Sequence, residues 1–384
     1  MQARLARLKR FDRNCRPYVA RISQRSAALE DLADTFPALL VALATGYASD
    51  AARAAAFQAI ADGKRLKQTA KVLGLPYWTR KLAPDVFRGP MPMLASDPKQ
   101  ETRLAHLVPE QPDLAAAWFA RVCKATAMAT PDFVAWTARH GAKVGRSADD
   151  PSFEYACAYA WHSENLETQA GALINTPFAA SMSPRRVREE TRIWRQRIAL
   201  ATALEQQPRL HWPTTGPDTA YRFVPLRTAR DFIAESRAMK NCLDRYGGPL
   251  ETGRIVLLSV RRDGRPVANL ELSLQPGDSA QVTIAQLKGP ANRIAGRHVW
   301  RAARSWLAHH TDRPQTARAL TACAKPHRRA ASRTLALDAL WHPYFAFLGS
   351  EQAATFDLSM RRSNKSEQGR RRMLTQRTPG NRTA

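Results

Sequence analysis

Between Cys242 and Asn292 lie a thiol, a phenol, a carboxylate and two amides: Cys242, Tyr246, Glu271, Gln286 and Asn292. A thiolate is a nucleophile, a carboxylate can take a proton, and an amide can polarise a carbonyl. That chemistry makes Cys242 the nucleophile, Glu271 the base, and Gln286 or Asn292 the polarising donor. A cysteine nucleophile ordinarily relies on histidine, yet Asn241 precedes Cys242 and the next histidine downstream is His298. The same residues also make a recognition pocket for nucleotide, peptide or nucleic acid. In it Tyr246 supplies a stacking ring, Arg261 and Lys288 the charge, and Asn269, Gln286, Gly289 and Asn292 the polar lining. The plain alternative is a solvated sheet face with incidental polar residues. The sequence leaves all three open.

Strands must position these side chains. "RIVLLSVRR" and "RPVANLELSL" flank Asp263-Gly264, a pair suited to the positive φ of a tight hairpin, and "QVTIAQL" follows "PGDSA" as a third strand. Alternation puts Ala268, Leu270, Leu272 and Leu274 on a core face and Val267, Asn269, Glu271 and Ser273 on a wetter one. Helices flank the strands: "TARDFIAESRAMKNCLDRYGG", ended by Gly247 and Gly248, and "AGRHVWRAARSWLAHH". The expectation is an α+β chain: a mainly helical N-terminal domain, then a small antiparallel β-meander domain flanked by helices. Its parts are a basic arm over 1–30, a helical domain over 31–206 and a Pro-rich linker over 207–220. An α+β domain over 221–310, a helical extension over 311–358 and a disordered basic tail over 359–384 complete it.

The order "NCLDRY", "VLLSVRRDGRPVANLEL", "AQLKGPAN" resembles the PcfJ-like family, named from a protein of conjugative plasmids. Its members carry C-V-x-x-Y, a hairpin ending in glutamate, and Q-x-x-G-x-x-N. The matching positions are Cys242, Tyr246, Glu271, Gln286, Gly289 and Asn292. Two positions depart: Asn241 stands where the family often has histidine, which weakens a Cys–His mechanism, and Asn269 where a threonine-like residue is common. The resemblance covers about residues 222–310. It implies association with a plasmid or other mobile element, in a family whose biochemical activity is not established, and so names a domain rather than a reaction.

Charge narrows the partners. The 384 residues carry 59 Lys+Arg against 33 Asp+Glu, a formal +26 that favours a polyanionic partner. Arg188, Arg192 and Arg195 form a stripe beside an apolar helical face at Val187, Thr191, Trp194 and Ile198, and Arg370, Arg371 and Arg372 sit in the tail. The five cysteines are scattered, which suits reduced thiols and a cytoplasmic location rather than a disulfide framework. Cys323 and His327 have no second pair for zinc, and no phosphate-cradling glycine loop appears, so neither metal nor cofactor is expected. The longest apolar stretch, "FPALLVALATGYA", is too short to span a bilayer, so no membrane insertion is expected. The leading expectation is a nucleic-acid-associated accessory protein of a mobile element, with possible protein partners from that system. The alternatives are an enzyme centred on Cys242 and Glu271, and a protein–protein adaptor acting through the helical domain.

Overall fold

The computed structural model describes residues 2–92, 94, 98–141, 151–205, 212–251, 253–275, 281–311 and 328–358. The expected tail over 359–384, with Arg370, Arg371 and Arg372, lies outside them, as do Cys323 and His327. The chain forms two compact units. The first comprises 1–161, 177–188 and 344–384; the second comprises 162–176 and 189–343. This division differs from the boundary expected over 207–220. In the second unit Trp212 is buried, and Pro213 and Thr215 give their carbonyls to the helix after the meander. The described residues of that stretch dock.

The first unit is helical: α1 (Gln2–Lys9), α2 (Arg16–Ser23), α3 (Ala27–Thr35), α4 (Pro37–Thr45), α5 (Asp50–Ala61), α6 (Leu66–Val72), α7 (Pro98–Ala105), α8 (Pro112–Met128), α9 (Pro131–His140) and most of α10 (Pro151–Glu164). Local chemistry sets the starts. Ser26 and Ser49 cap α3 and α5 by accepting from Leu29 and Ala52 N–H groups, and proline opens α4, α8 and α9. α4 is buried from Pro37 to Ala44, which explains its unbroken apolar sequence, and stops at Gly46 with φ 73°. Among the described residues no helix is long and apolar enough to cross a membrane.

The basic arm expected over 1–30 is instead part of this unit. Leu8, Phe11, Cys15, Val19, Ile22 and Leu29 are buried, while Arg7 and Arg10 reach Asp34 at 2.9 and 2.7 Å. The helical spacing of those apolar residues outweighs the basic composition.

The second unit holds one antiparallel sheet in the order β1-β2-β3-β4: β1 (Arg222–Pro225), β2 (Ile255–Arg262), β3 (Arg265–Gln275) and β4 (Gln281–Lys288). Asp263 (φ 50°) and Gly264 (φ 75°) make the β2–β3 turn, as their types predict. The "PGDSA" turn lies outside the described residues. The remaining helices are α11 (Pro184–Glu205), α12 (Ala229–Met239), the short α13 (Gly247–Leu250), α14 (Arg297–His310) and α15 (Arg328–Leu348). On one sheet face α14 packs Val299, Ala302, Ala303 and Trp306 onto Phe223, Leu258, Val260, Leu270 and Leu272. On the other, Phe232, Leu243 and Leu250 join Leu257 with Leu200 and Ala203 from α11. The helical N-terminal part and the antiparallel meander between helices are thus both present.

Candidate functional site

The helix before the meander is shorter than expected, and this places the site. A capping box starts α12: Thr228 Oγ1 accepts from Asp231 N at 3.1 Å, and Asp231 Oδ2 accepts from Thr228 N at 2.9 Å. It ends at Met239, with Lys240 in the left-handed region at φ 50°. A 3-10 turn over Leu243–Arg245 follows, and then α13. Gly247 therefore starts a helix rather than ending one. A Cβ there would fall 2.6 Å from Leu200 N and 2.7 Å from the Ala199 carbonyl carbon, so glycine is what lets α13 lie against α11.

Register decides which polar groups meet. Asn269 pairs with Ser259 on one side and Lys288 on the other; the next row is Leu257, Glu271 and Gln286. Asn269, Glu271, Gln286 and Lys288 thus share one face, and a bulge between Glu271 and Leu272 separates this end of β3 from the rest. This is the wetter face of β3, as expected, at the half-buried Val267, Glu271 and Ser273, but it is covered at Asn269. α12 lies across β3, leaving Asn269 6% exposed, Ser259 0% and Glu235 3%.

Burial on that scale demands partners. Asn241 Nδ2 donates to Asn269 Oδ1 at 2.7 Å, and Asn269 Nδ2 donates to Glu235 Oε1 at 2.6 Å. Arg261 lies 3.7 Å from Glu235 Oε2, and its Nε donates to Ser259 Oγ at 3.2 Å. Ser236 Oγ shares its one proton between the Asn241 carbonyl at 2.5 Å and Asp244 Oδ1 at 3.3 Å. Arg197 closes the chain on Asp244 Oδ2 through Nη2 (2.6 Å) and Nε (3.0 Å), and also donates to the Leu173 carbonyl. A single polar chain thus runs from Arg261 to Arg197.

Tyr246 donates its hydroxyl to Glu271 Oε2. Burial, and then this bond and the nearby Glu271 and Cys242, push the phenol well above its ordinary range, so Tyr246 stays a donor. Among the described cysteines, Cys15, Cys123 and Cys157 are buried and Cys242 is exposed. No hydrogen bond joins Cys242 to Glu271 among the described residues; the carboxylate faces Tyr246 instead. Gln286 and Asn292 are exposed, and Asn292 sits with φ 59° in the turn beside α12. Gly289 is buried and donates its N–H to the Arg293 carbonyl at 2.8 Å. Register and hydrogen bonding therefore join Tyr246, Asn269, Glu271, Gln286 and Lys288 around one face, with Arg261 reached through Glu235.

Of the α11 arginines, Arg188 is exposed and Arg195 half-buried. Arg192 grips Glu189 with Nε at 3.1 Å and Nη2 at 2.7 Å, and that bond raises its affinity for its proton. Glu235, Ser236, Asp244 and Arg197 were not foreseen. The signal was present: Glu235 falls between Phe232 and Met239 on the arc that α12 buries. Among the described residues no group of three or more His, Cys, Asp or Glu side chains is placed to hold a metal ion. No family model, curated protein or solved structure matches this chain.

Proposed function

We propose that the chain is a nucleic-acid-associated accessory protein of a plasmid or other mobile element, its sheet-bearing part acting as a PcfJ-like domain. The observation that carries this reading is charge: 59 Lys+Arg against 33 Asp+Glu, formally +26. Asp34, Glu189, Glu235 and Asp244 each face an arginine of the chain itself, and such pairing leaves the net +26 unchanged. The surplus cations repel one another unless a polyanion neutralises them. The mobile-element assignment is supported by the spaced motif from Cys242 to Asn292.

The test is binding of the full chain to labelled duplex DNA, single-stranded DNA and RNA across a salt series. A chain that neutralises several phosphates loses roughly 10³-fold or more in affinity between about 50 and 200 mM salt. Absent binding to all three, or binding indifferent to salt, overturns the reading.

A further inference from the structure

We infer that the outer face of α14 seats the phosphate backbone of duplex DNA, along Arg297, Arg301 and Arg304; this rests on the nucleic-acid reading and gives it a place. The buried side of α14 is Val299, Ala302, Ala303, Trp306 and His310. At about 100° per residue the three arginines fall within an arc of roughly 60° on the opposite side, and all three are exposed. From Gln281 to Thr311 the sequence contains Lys288, Arg293 and these three arginines, and no Asp or Glu.

This stripe works against its own helix. Arg297 and Arg301 are four residues apart and Arg301 and Arg304 three, spacings at which like charges cost about 0.2–0.5 kcal/mol per pair. Arg297 also stands in the first turn, where a cation opposes the helix dipole and where α14 has no acidic residue. Among the described residues none of the three is in an ion pair. The α11 stripe is the contrast, because Glu189 already holds Arg192. A local charge rule broken with no carboxylate to offset it marks a surface kept for something outside the chain.

Spacing and shape select the ligand. Arg297 to Arg304 spans about 10 Å of helix, roughly three phosphate steps of one strand at ~3.4 Å each. A single strand would want exposed rings for its bases. The indole on this side, Trp300, is half-buried with the Arg304 guanidinium 5.4 Å above its ring. The surface therefore offers charge without a stacking platform, which suits a duplex.

The experiment compares three full-length proteins by fluorescence anisotropy on a labelled duplex and on its single strand, across salt. They are the natural chain, Arg297→Gln/Arg301→Gln/Arg304→Gln, and a charge-matched control, Lys64→Gln/Lys67→Gln/Lys71→Gln, on exposed positions of the first unit. The α14 variant is expected to bind the duplex on the order of 10²-fold more weakly at ~0.1 M salt, with a salt slope flatter by about 2.7, three contacts at about 0.9 each. The control should stay within about threefold. Equal losses in variant and control overturn the inference, while steep salt-dependent binding by the natural chain leaves the nucleic-acid reading standing. No binding by the natural chain overturns both. An equal loss on the single strand overturns the duplex assignment. Should the triple variant melt early, Arg301→Gln alone carries the test: a slope change of about 0.9 supports the inference and no change overturns it.

Discussion

On the α14 side of the sheet the packed residues of both layers are apolar, from Phe223, Leu258 and Leu270 to Val299 and Trp306. On the α12 side an apolar cluster around Phe232 and Leu257 adjoins the polar chain of Arg261, Glu235, Asn269, Asn241, Ser236, Asp244 and Arg197, buried at all but Arg261 and Asn241. The first face gains stability from area removed from water, and another apolar residue of similar volume would serve nearly as well. The second desolvates charges and amides, so each must be matched by a particular partner at a particular distance. The contrast teaches that the α14 layer supplies cohesion and the α12 layer supplies uniqueness, because each buried polar group there requires its own partner. It also explains why α14 can carry arginines outward, since its inner face alone anchors it.

The largest effects should break the two faces in different ways. Trp306→Ala is expected to cost about 3–5 kcal/mol by leaving a cavity where the indole stacks on Phe223 at 4.9 Å. Asp244→Ala should cost a similar ~3–5 kcal/mol, because it strands the buried Arg197 guanidinium. The difference lies in rescue. Arg197→Met with Asp244→Leu should recover most of that loss, since removing both charges removes the desolvation penalty. Urea denaturation followed by circular dichroism measures all three; a double variant no better than Asp244→Ala would refute the account of the polar face.

Acid probes a buried histidine elsewhere in the same unit. His162 is fully buried, against the Trp194 and Trp341 rings and with Nδ1 3.0 Å from Thr168 Oγ1, and burial lowers its pKa from 6.5 to about 4. Between pH 6.5 and 4 the unfolded chain therefore binds a proton that the folded chain refuses. Stability is unaffected by this group above 6.5, and falls by about 3 kcal/mol in all as pH drops to 4. His162→Gln should flatten that limb in a denaturation series from pH 7 to 4. Whatever slope survives the substitution belongs to other groups.

The legible part of the fold is the part written in periodicity. Alternation along β3 placed Leu270 and Leu272 in the core, and Asp263-Gly264 placed the hairpin. The same alternation could not say what would cover the face of Asn269 and Glu271, because that depends on α12 returning over β3 from outside the strand. Glu235 shows the difficulty: its type says surface, and only its place between Phe232 and Met239 says core. The early end of α12 was hidden because Lys240 adopts a left-handed conformation usually left to glycine or asparagine. At the N-terminus, composition suggested an arm while Leu8, Phe11 and Val19 already spelled out a buried stripe. Charge counted in bulk also concealed that Arg192 and Arg261 face carboxylates while, among the described residues, the α14 arginines are in no ion pair.

The smallest effect tests whether Tyr246 and Glu271 belong to the polar chain or only sit beside it. Tyr246→Phe removes the hydroxyl that Glu271 accepts from and keeps the ring packed at the edge of the Phe232 and Leu257 cluster. Because Tyr246 and Glu271 are both half-buried, water can replace part of the lost bond, and the expected cost is about 1 kcal/mol. A double-variant cycle with Glu271→Gln distinguishes the cases. If the two side chains act as an isolated pair, the combined loss should fall short of the sum by about 0.5–1 kcal/mol, and Asn269→Ala should add independently of both. Coupling between Tyr246 and Asn269 of similar size would instead make them one network, with Glu271 held in place from the α12 side as firmly as Leu270 is held from the other.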